Sequence, residues 1–286
     1  MQYRFKQIDV FTAEPFKGNP LAVVLDSAGL DTRTMQRFTD WTNLSEATFL
    51  AAPTHAEADY AVRIFCPGRE LPFAGHPTLG SCHAWLEAGG RPKGEVIVQE
   101  CAVGLVRIRR DAQRLAFAAP PLKKSGPLPE EDVRLIARGL GVAGDDIVAH
   151  AWCDNGPNWR GVMLKSAEQV LALTPDAGVL AGLDVGVVGP RGKVGVVAAR
   201  GRADDTQFEV RAFFPGNHGM TEDPVTGSLN AALAQWLIGA GYAPPRYVAA
   251  QGTALNRAGR VFVEQLGADI WIGGSSVTVI EGAVML

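Results

Sequence analysis

The sequence has little of what staples or anchors a chain. It carries only four cysteines in 286 residues, Cys66, Cys82, Cys101 and Cys153, and no CxxC pair. That spacing argues against a zinc ribbon and a thioredoxin-like redox site. Charge is nearly balanced, with 27 basic against 30 acidic residues leaving −3. Such a balance excludes a chain devoted to nucleic acid or to an anionic membrane. Arg107, Arg109, Arg110 and Arg114 do cluster with Lys123 and Lys124, but strand alternation divides the first group between two faces. The longest uncharged run, 224–245, is interrupted by Gly227, Ser228, Asn230, Gln235, Gly239 and Gly241, which makes it a poor membrane span. The first ten residues contain Arg4, Lys6 and Asp9 and no apolar stretch of signal-peptide type. The expectation is a soluble cytoplasmic protein with reduced thiols and no membrane or nucleic-acid partner.

What is present is ordinary globular material, 47% hydrophobic and 20% charged. The length suits about two domains of roughly 150 residues and a core that needs neither disulfides nor a structural metal. Periodicity predicts strands over 2–11, 21–25, 47–51, 60–65, 95–99, 105–109 and 115–118, and helices over 31–41 and 77–86. Asp31 is placed to cap the first helix, whose Met35, Phe38 and Trp41 fall at helical spacing. The Pro- and Lys-bearing stretch 119–127 reads as a linker. Beyond it come helices over 130–139 and 223–238, strands over 147–152, 160–165, 193–199 and 208–214, and several short strands after 247. Each half runs strands, one helix, strands, which is an α+β order rather than βαβ alternation.

The halves also repeat. Val62-Arg63-Ile64-Phe65-Cys66-Pro67-Gly68 matches Val210-Arg211-Ala212-Phe213-Phe214-Pro215-Gly216, with an offset of 148. His76-Pro77-Thr78-Leu79-Gly80-Ser81 then matches Asp223-Pro224-Val225-Thr226-Gly227-Ser228 at 147, which calls for a one-residue gap. The repeat implies two similar domains related by a pseudo-twofold axis. Pro77 and Pro224 suit the first position of a helix and Asp223 its N-cap. The amides that follow, with the helix dipole, favour an anion. Two such helix starts facing each other would hold a small carboxylate. Taken alone, Asp223 reads equally as the cap of its own helix, and Glu46 as a solvated strand-end residue.

Four segments carry a resemblance: Phe16-Lys17-Gly18-Asn19-Pro20, Asn43-Leu44-Ser45-Glu46, Phe73-Ala74-Gly75-His76-Pro77-Thr78 and Glu222-Asp223-Pro224-Val225-Thr226-Gly227-Ser228. Their order and spacing resemble the signatures of the phenazine-biosynthesis PhzF-like isomerase family, over nearly the whole chain. The resemblance implies a diaminopimelate epimerase-like α+β fold with two pseudo-symmetric domains, each a barrel-like sheet around a central helix. The expected domains are 1–118 with about 274–286, and 128–273. It implies a site between them, isomerisation without a cofactor or metal, and homodimers. The namesake substrate is trans-2,3-dihydro-3-hydroxyanthranilate. By the same resemblance Glu46 matches the general acid/base, His76 and Asp223 its polar partners, and Asn19, Ser45, Gly75, Gly227 and Ser228 the substrate-binding positions. The chain departs from the common pattern at Ala47, where Thr is usual, and at Leu229, where Ala is usual.

Moving a proton between carbons needs a group that takes it and returns it, and a carboxylate such as Glu46 does both when its surroundings bring its pKa towards the working pH. An epimerase acting through Glu46, or a silent small-molecule binder, stays open at this point. A two-thiol racemase is disfavoured because His76 and Asp223 stand at the helix starts, and all four cysteines read as small core residues. Gly139-Leu140-Gly141-Val142-Ala143-Gly144 fits GxGxxG but follows a helix, so it reads as a helix C-cap and loop rather than a dinucleotide site. His83 and Glu87 read as a helix-face pair, not a metal site. His218 reads as a loop residue.

Overall fold

The computed structural model describes residues 1–111, 114–192, 206–216 and 219–286. The strand expected over 193–199 and the loop residue His218 lie outside them. The chain divides into two compact units, Met1–Ala118 with Gly273–Leu286, and Ala119–Ile272.

Unit 1 opens with β1 (Gln2–Val10), β2 (Asn19–Val24), α1 (Thr32–Thr42), β3 (Ala47–Ala51), β4 (Tyr60–Cys66) and β5 (Arg69–Leu71). It continues through α2 (Gly75–Glu87), β6 (Val96–Cys101), β7 (Gly104–Asp111) and β8 (Arg114–Ala118). Unit 2 holds β9 (Ile147–Cys153), β10 (Trp159–Leu164), β11 (Val185–Pro190), β12 (Phe208–Gly216), β13 (Gly219–Glu222), β14 (Arg246–Gln251) and β15 (Gly259–Leu266). Its helices are α3 (Glu130–Leu140), α4 (Ala167–Ala172) and α5 (Gly227–Gly239). After β16 (Asp269–Gly274), β17 (Ser276–Met285) returns to unit 1 and pairs antiparallel with β1 along its length.

The expected helices and most expected strands are present. Asp31 caps α1 by accepting from Thr34 N at 2.8 Å. Met35 and Phe38 are buried, but Trp41 is 81% exposed. Six residues advance a helix by about 600°, one full turn plus about 240°, so spacing by threes carries Trp41 off the side that buries Met35. Gly141 closes α3 at φ 69°, so the GxGxxG run is a helix end. The segment after Ala118 bonds into unit 2: Ala119 N donates to Ile270 O, Lys123 N to Asp154 O, and Trp152 N to Gly126 O.

In each unit one helix is buried on almost every side. Residues Gly75 to Cys82 of α2 and most of α5 are buried. Neither needs an amphipathic stripe, because apolar strands surround it. Small residues make that possible. A Cβ on Gly80 of α2 would lie 2.6 Å from Leu21 Cδ2, and one on Gly186 of β11 would lie 2.3 Å from Leu229 Cδ1. Gly186 is therefore what admits leucine at 229, where the resembling family usually has alanine. Ala47, the other departure, is fully buried against Phe38, Phe49 and Phe65.

Candidate active site

In unit 1 the first motif is a tight loop between β1 and β2. Asp9, almost wholly buried, accepts from the amides of Lys17 and Gly18 at 2.9 and 3.1 Å. Phe11 and Phe16 bracket the loop at φ 65° and 69°, a left-handed conformation that costs a phenylalanine on the order of 1–3 kcal/mol. Gly18 has no alternative, since a Cβ there would sit 2.1 Å from Val10 O. This brace delivers Asn19, fully buried, to the start of β2.

The second motif ends a helix. Asn43 adopts φ 57° at the C-cap of α1, a conformation asparagine tolerates well. The chain then turns through half-buried Leu44 and Ser45 to Glu46, immediately before β3. The third motif starts α2. Tyr60 Oη donates to Gln99 Oε1, Gln99 Nε2 to Thr78 Oγ1, and Thr78 Oγ1 to Ala74 O. That buried chain of bonds fixes the residue before Gly75 and His76. Together these elements bring three of the expected residues to one place. His76 Nε2 lies 3.6 Å from Glu46 Oε2, and Asn19 Nδ2 lies 3.4 Å from His76 Nδ1. Glu46 keeps 17% of its side chain exposed, while His76 is 3% exposed. Burial pushes the imidazole pKa down to about 3, so the ring is neutral near neutral pH.

In unit 2, Asp223 is buried and its Oδ2 accepts from Thr226 Oγ1 at 2.6 Å. Gln251, at the end of β14, holds this corner. Its Oε1 accepts from Thr226 N and Asn230 Nδ2, and its Nε2 donates to Asp223 O and Thr226 Oγ1. Gly227 and Ser228 begin α5, and Ser228 Oγ accepts from Trp159 Nε1 at 3.2 Å. Gln251, Thr226, Asn230, Trp159, Asp9 and Gln99 were not among the expected site residues. Only Thr226 had a local signal, its place inside a motif.

The helix starts correct the repeat. Asp223 is not the N-cap of α5, which begins four residues later with Thr226 in the cap position. Asp223 N still bonds Ala212 O in the register of the β12–β13 hairpin, so Pro224 to Thr226 are needed to turn into the helix. Arg63 pairs with Glu70 across one hairpin and Arg211 with Glu222 across the other, each arginine over the neighbouring Phe65 or Phe213. The strands thus match at 148, but Glu70–Glu222 and Gly75–Gly227 match at 152. A four-residue lengthening of the second hairpin replaces the expected one-residue gap. His76 corresponds to Ser228, and Asp223 corresponds to Leu71. Pro77 is third in α2 and Pro224 precedes α5. The amides without a partner in their own helix are consequently those of Gly75 and His76, and of Gly227, Ser228 and Leu229, so that of the amides expected after Pro77 and Pro224 only Gly227 remains. Thr78 N is used by Ala74 O, and Thr226 N by Gln251.

Cys82 and Cys153 are buried, and burial raises both thiols to about 12. Cys66 and Cys101 are only half-buried, which corrects the expectation that all four sit in the core. His83 bonds Glu87 at 3.2 Å, and Glu87 also receives Lys6 and Thr278, an arrangement that fastens α2 to β1 and β17.

A family model described as phenazine biosynthesis-like protein matches residues 8–282. The chain is 35% identical to antisense-enhancing sequence 1 of Schizosaccharomyces pombe, with 98% of each chain covered. It is 31% identical to a trans-2,3-dihydro-3-hydroxyanthranilate isomerase of Pseudomonas aeruginosa, covering 99% of this chain and 100% of that one. A solved phenazine biosynthesis protein of the PhzF family from Enterococcus faecalis matches 100% of both chains with a TM-score of 0.78 at 27% identity. The α+β fold is the fold of that family.

Proposed function

The chain belongs to the phenazine biosynthesis-like family of isomerases, and from that premise we propose that it moves a proton between carbons of a small cyclic carboxylate through Glu46. The observation that carries this reading is the Glu46–His76 pair at 3.6 Å, a partly exposed carboxylate beside a buried neutral imidazole. A carboxylate in such a place can take a proton from a carbon next to a conjugated system. The electron pair left behind spreads into that system, and the carboxylic acid returns the proton to a second carbon. Bonds and charges balance without a redox step, and one group serves as base and then acid.

The buried start of α2 supports recognition of the substrate. Gly75 and His76 offer amides at the positive end of the helix. Asp223, Gly227 and Ser228 enter the proposal as further polar contacts, with Asp223 suited to an amine. The names of relatives suggest trans-2,3-dihydro-3-hydroxyanthranilate as the first substrate to try.

The test is incubation of wild type and Glu46→Gln with that compound in D₂O, following the ultraviolet spectrum and deuterium incorporation together. Turnover by wild type that is lost in a folded variant supports both substrate and acid/base group. Turnover kept by Glu46→Gln overturns the role of Glu46. A folded wild type that neither converts the compound nor exchanges its protons overturns the substrate.

A further inference from the structure

Asn19 is matched by family pattern to a substrate-binding position, yet its side chain is wholly buried and turned to the imidazole. Its Nδ2 stands 3.4 Å from His76 Nδ1. An amide NH₂ only donates, so a hydrogen bond in this arrangement requires Nδ1 as the acceptor and the single ring proton on Nε2. That nitrogen is the one 3.6 Å from Glu46 Oε2, and it has no hydrogen bond among the described residues. The ring is neutral, so its tautomer is a real choice between two states, and its neighbours make that choice. Asn19 itself has little freedom. Asp9 grips the two amides before it, and Gly18 is packed against Val10 O.

We propose that Asn19 is a positioning residue that holds His76 as the Nε2–H tautomer, so that the imidazole presents a donor to Glu46. The proposal rests on the reading of Glu46 as the acid/base group. Its consequence is an asymmetry in the proton cycle. An N–H aimed at the carboxylate favours the ionised form, which is the form that takes the substrate proton. Once protonated, Glu46 loses that favourable contact and is biased to give the proton back. The opposite tautomer would aim a lone pair at Glu46 and retain its proton. Asn19 therefore acts through His76 and not by touching substrate.

The test is ¹⁵N NMR of histidine-labelled protein, with His76 assigned by the signals lost in His76→Gln. Wild type is expected to show a protonated Nε2 and a bare Nδ1. In Asn19→Asp a carboxylate accepts where the amide donated, and the proton is expected to move to Nδ1. A wild-type ring protonated at Nδ1, or an Asn19→Asp ring that stays protonated at Nε2, overturns the proposal. If Asn19→Asp does not fold, the wild-type tautomer decides alone. These spectra need no turnover, so they stand apart from any failure of the Glu46 assignment. With a substrate in hand, Asn19→Asp is expected to lower kcat by about 100-fold with little change in KM. A rise in KM at unchanged kcat would instead mean substrate contact and would overturn it.

Discussion

The two units build the same strand–hairpin–helix device and furnish it with opposite polar chemistry. Arg63, Phe65 and Glu70 repeat as Arg211, Phe213 and Glu222, and each hairpin leads to a buried helix that starts at a glycine. At the start of the unit 1 helix stands a neutral histidine, close to a carboxylate but beyond hydrogen-bond length. At the start of the unit 2 helix stands a serine already engaged by Trp159, beside a network in which Gln251 uses both ends of its amide. A saturated network holds a shape, because every buried group would cost stability if released. The Glu46–His76 pair stands at 3.6 Å, beyond hydrogen-bond length, which suits the proton exchange proposed for it.

The largest effect should fall on the unit 1 pair. Glu46→Gln is expected to reduce turnover by about 100- to 10,000-fold, while its denaturation midpoint stays near that of wild type. A comparable loss of stability in calorimetry would make Glu46 structural and erase the contrast between the units.

Next in size is the response to acid. The unfolded His76 imidazole binds a proton below about 6.5, whereas the folded one stays neutral down to about 3. The unfolded state therefore gains protons first, and stability falls as pH drops through that window, by up to about 1.4 kcal/mol per pH unit. His76→Gln should flatten this dependence in urea titrations. Ser228, at the matching position, does not titrate, so Ser228→Ala should leave the slope as it is.

Gln251→Leu should do the reverse of Glu46→Gln. It strips acceptors from Thr226 N and Asn230 Nδ2 and should cost about 2–4 kcal/mol of stability. A thermal unfolding curve unchanged by this substitution would show that the unit 2 network is not what holds the corner.

The smallest effect concerns packing. Gly186→Ala forces a methyl into Leu229 and should cost about 1–3 kcal/mol. Combined with Leu229→Ala, it should lose less than the two single changes together. Simple additivity in that double-mutant cycle would refute the claim that Gly186 makes room for Leu229.

Part of the candidate site was legible in the residues. Glu46, His76 and Asn19 lie in three separate motifs, and the fold brings all three together. Asp31 announced the start of α1, and Gly141 the end of α3, because caps are written in one or two residues. The repeat was visible as a pattern but misaligned. Pro67-Gly68 and Pro215-Gly216 look alike, yet the first pair sits in its turn while the second is still strand, opposite Met220 and Gly219. Letters alone cannot tell a turn from a longer hairpin that continues through the same dipeptide. Gln251 carried no local signal, since its partners lie more than twenty residues away.

By itself, then, the sequence determined the order of elements, the doubling of the chain and the motifs that identify its family. Those features depend on near neighbours, through periodicity, caps and turn residues. Only the tertiary structure decided that Asp223 stands outside its helix, that His76 is matched by Ser228, and that Asn19 meets the imidazole. Each of these depends on hairpin length, burial and a hydrogen bond between residues distant in the chain, and such contacts exist only once the strands have closed around their helix.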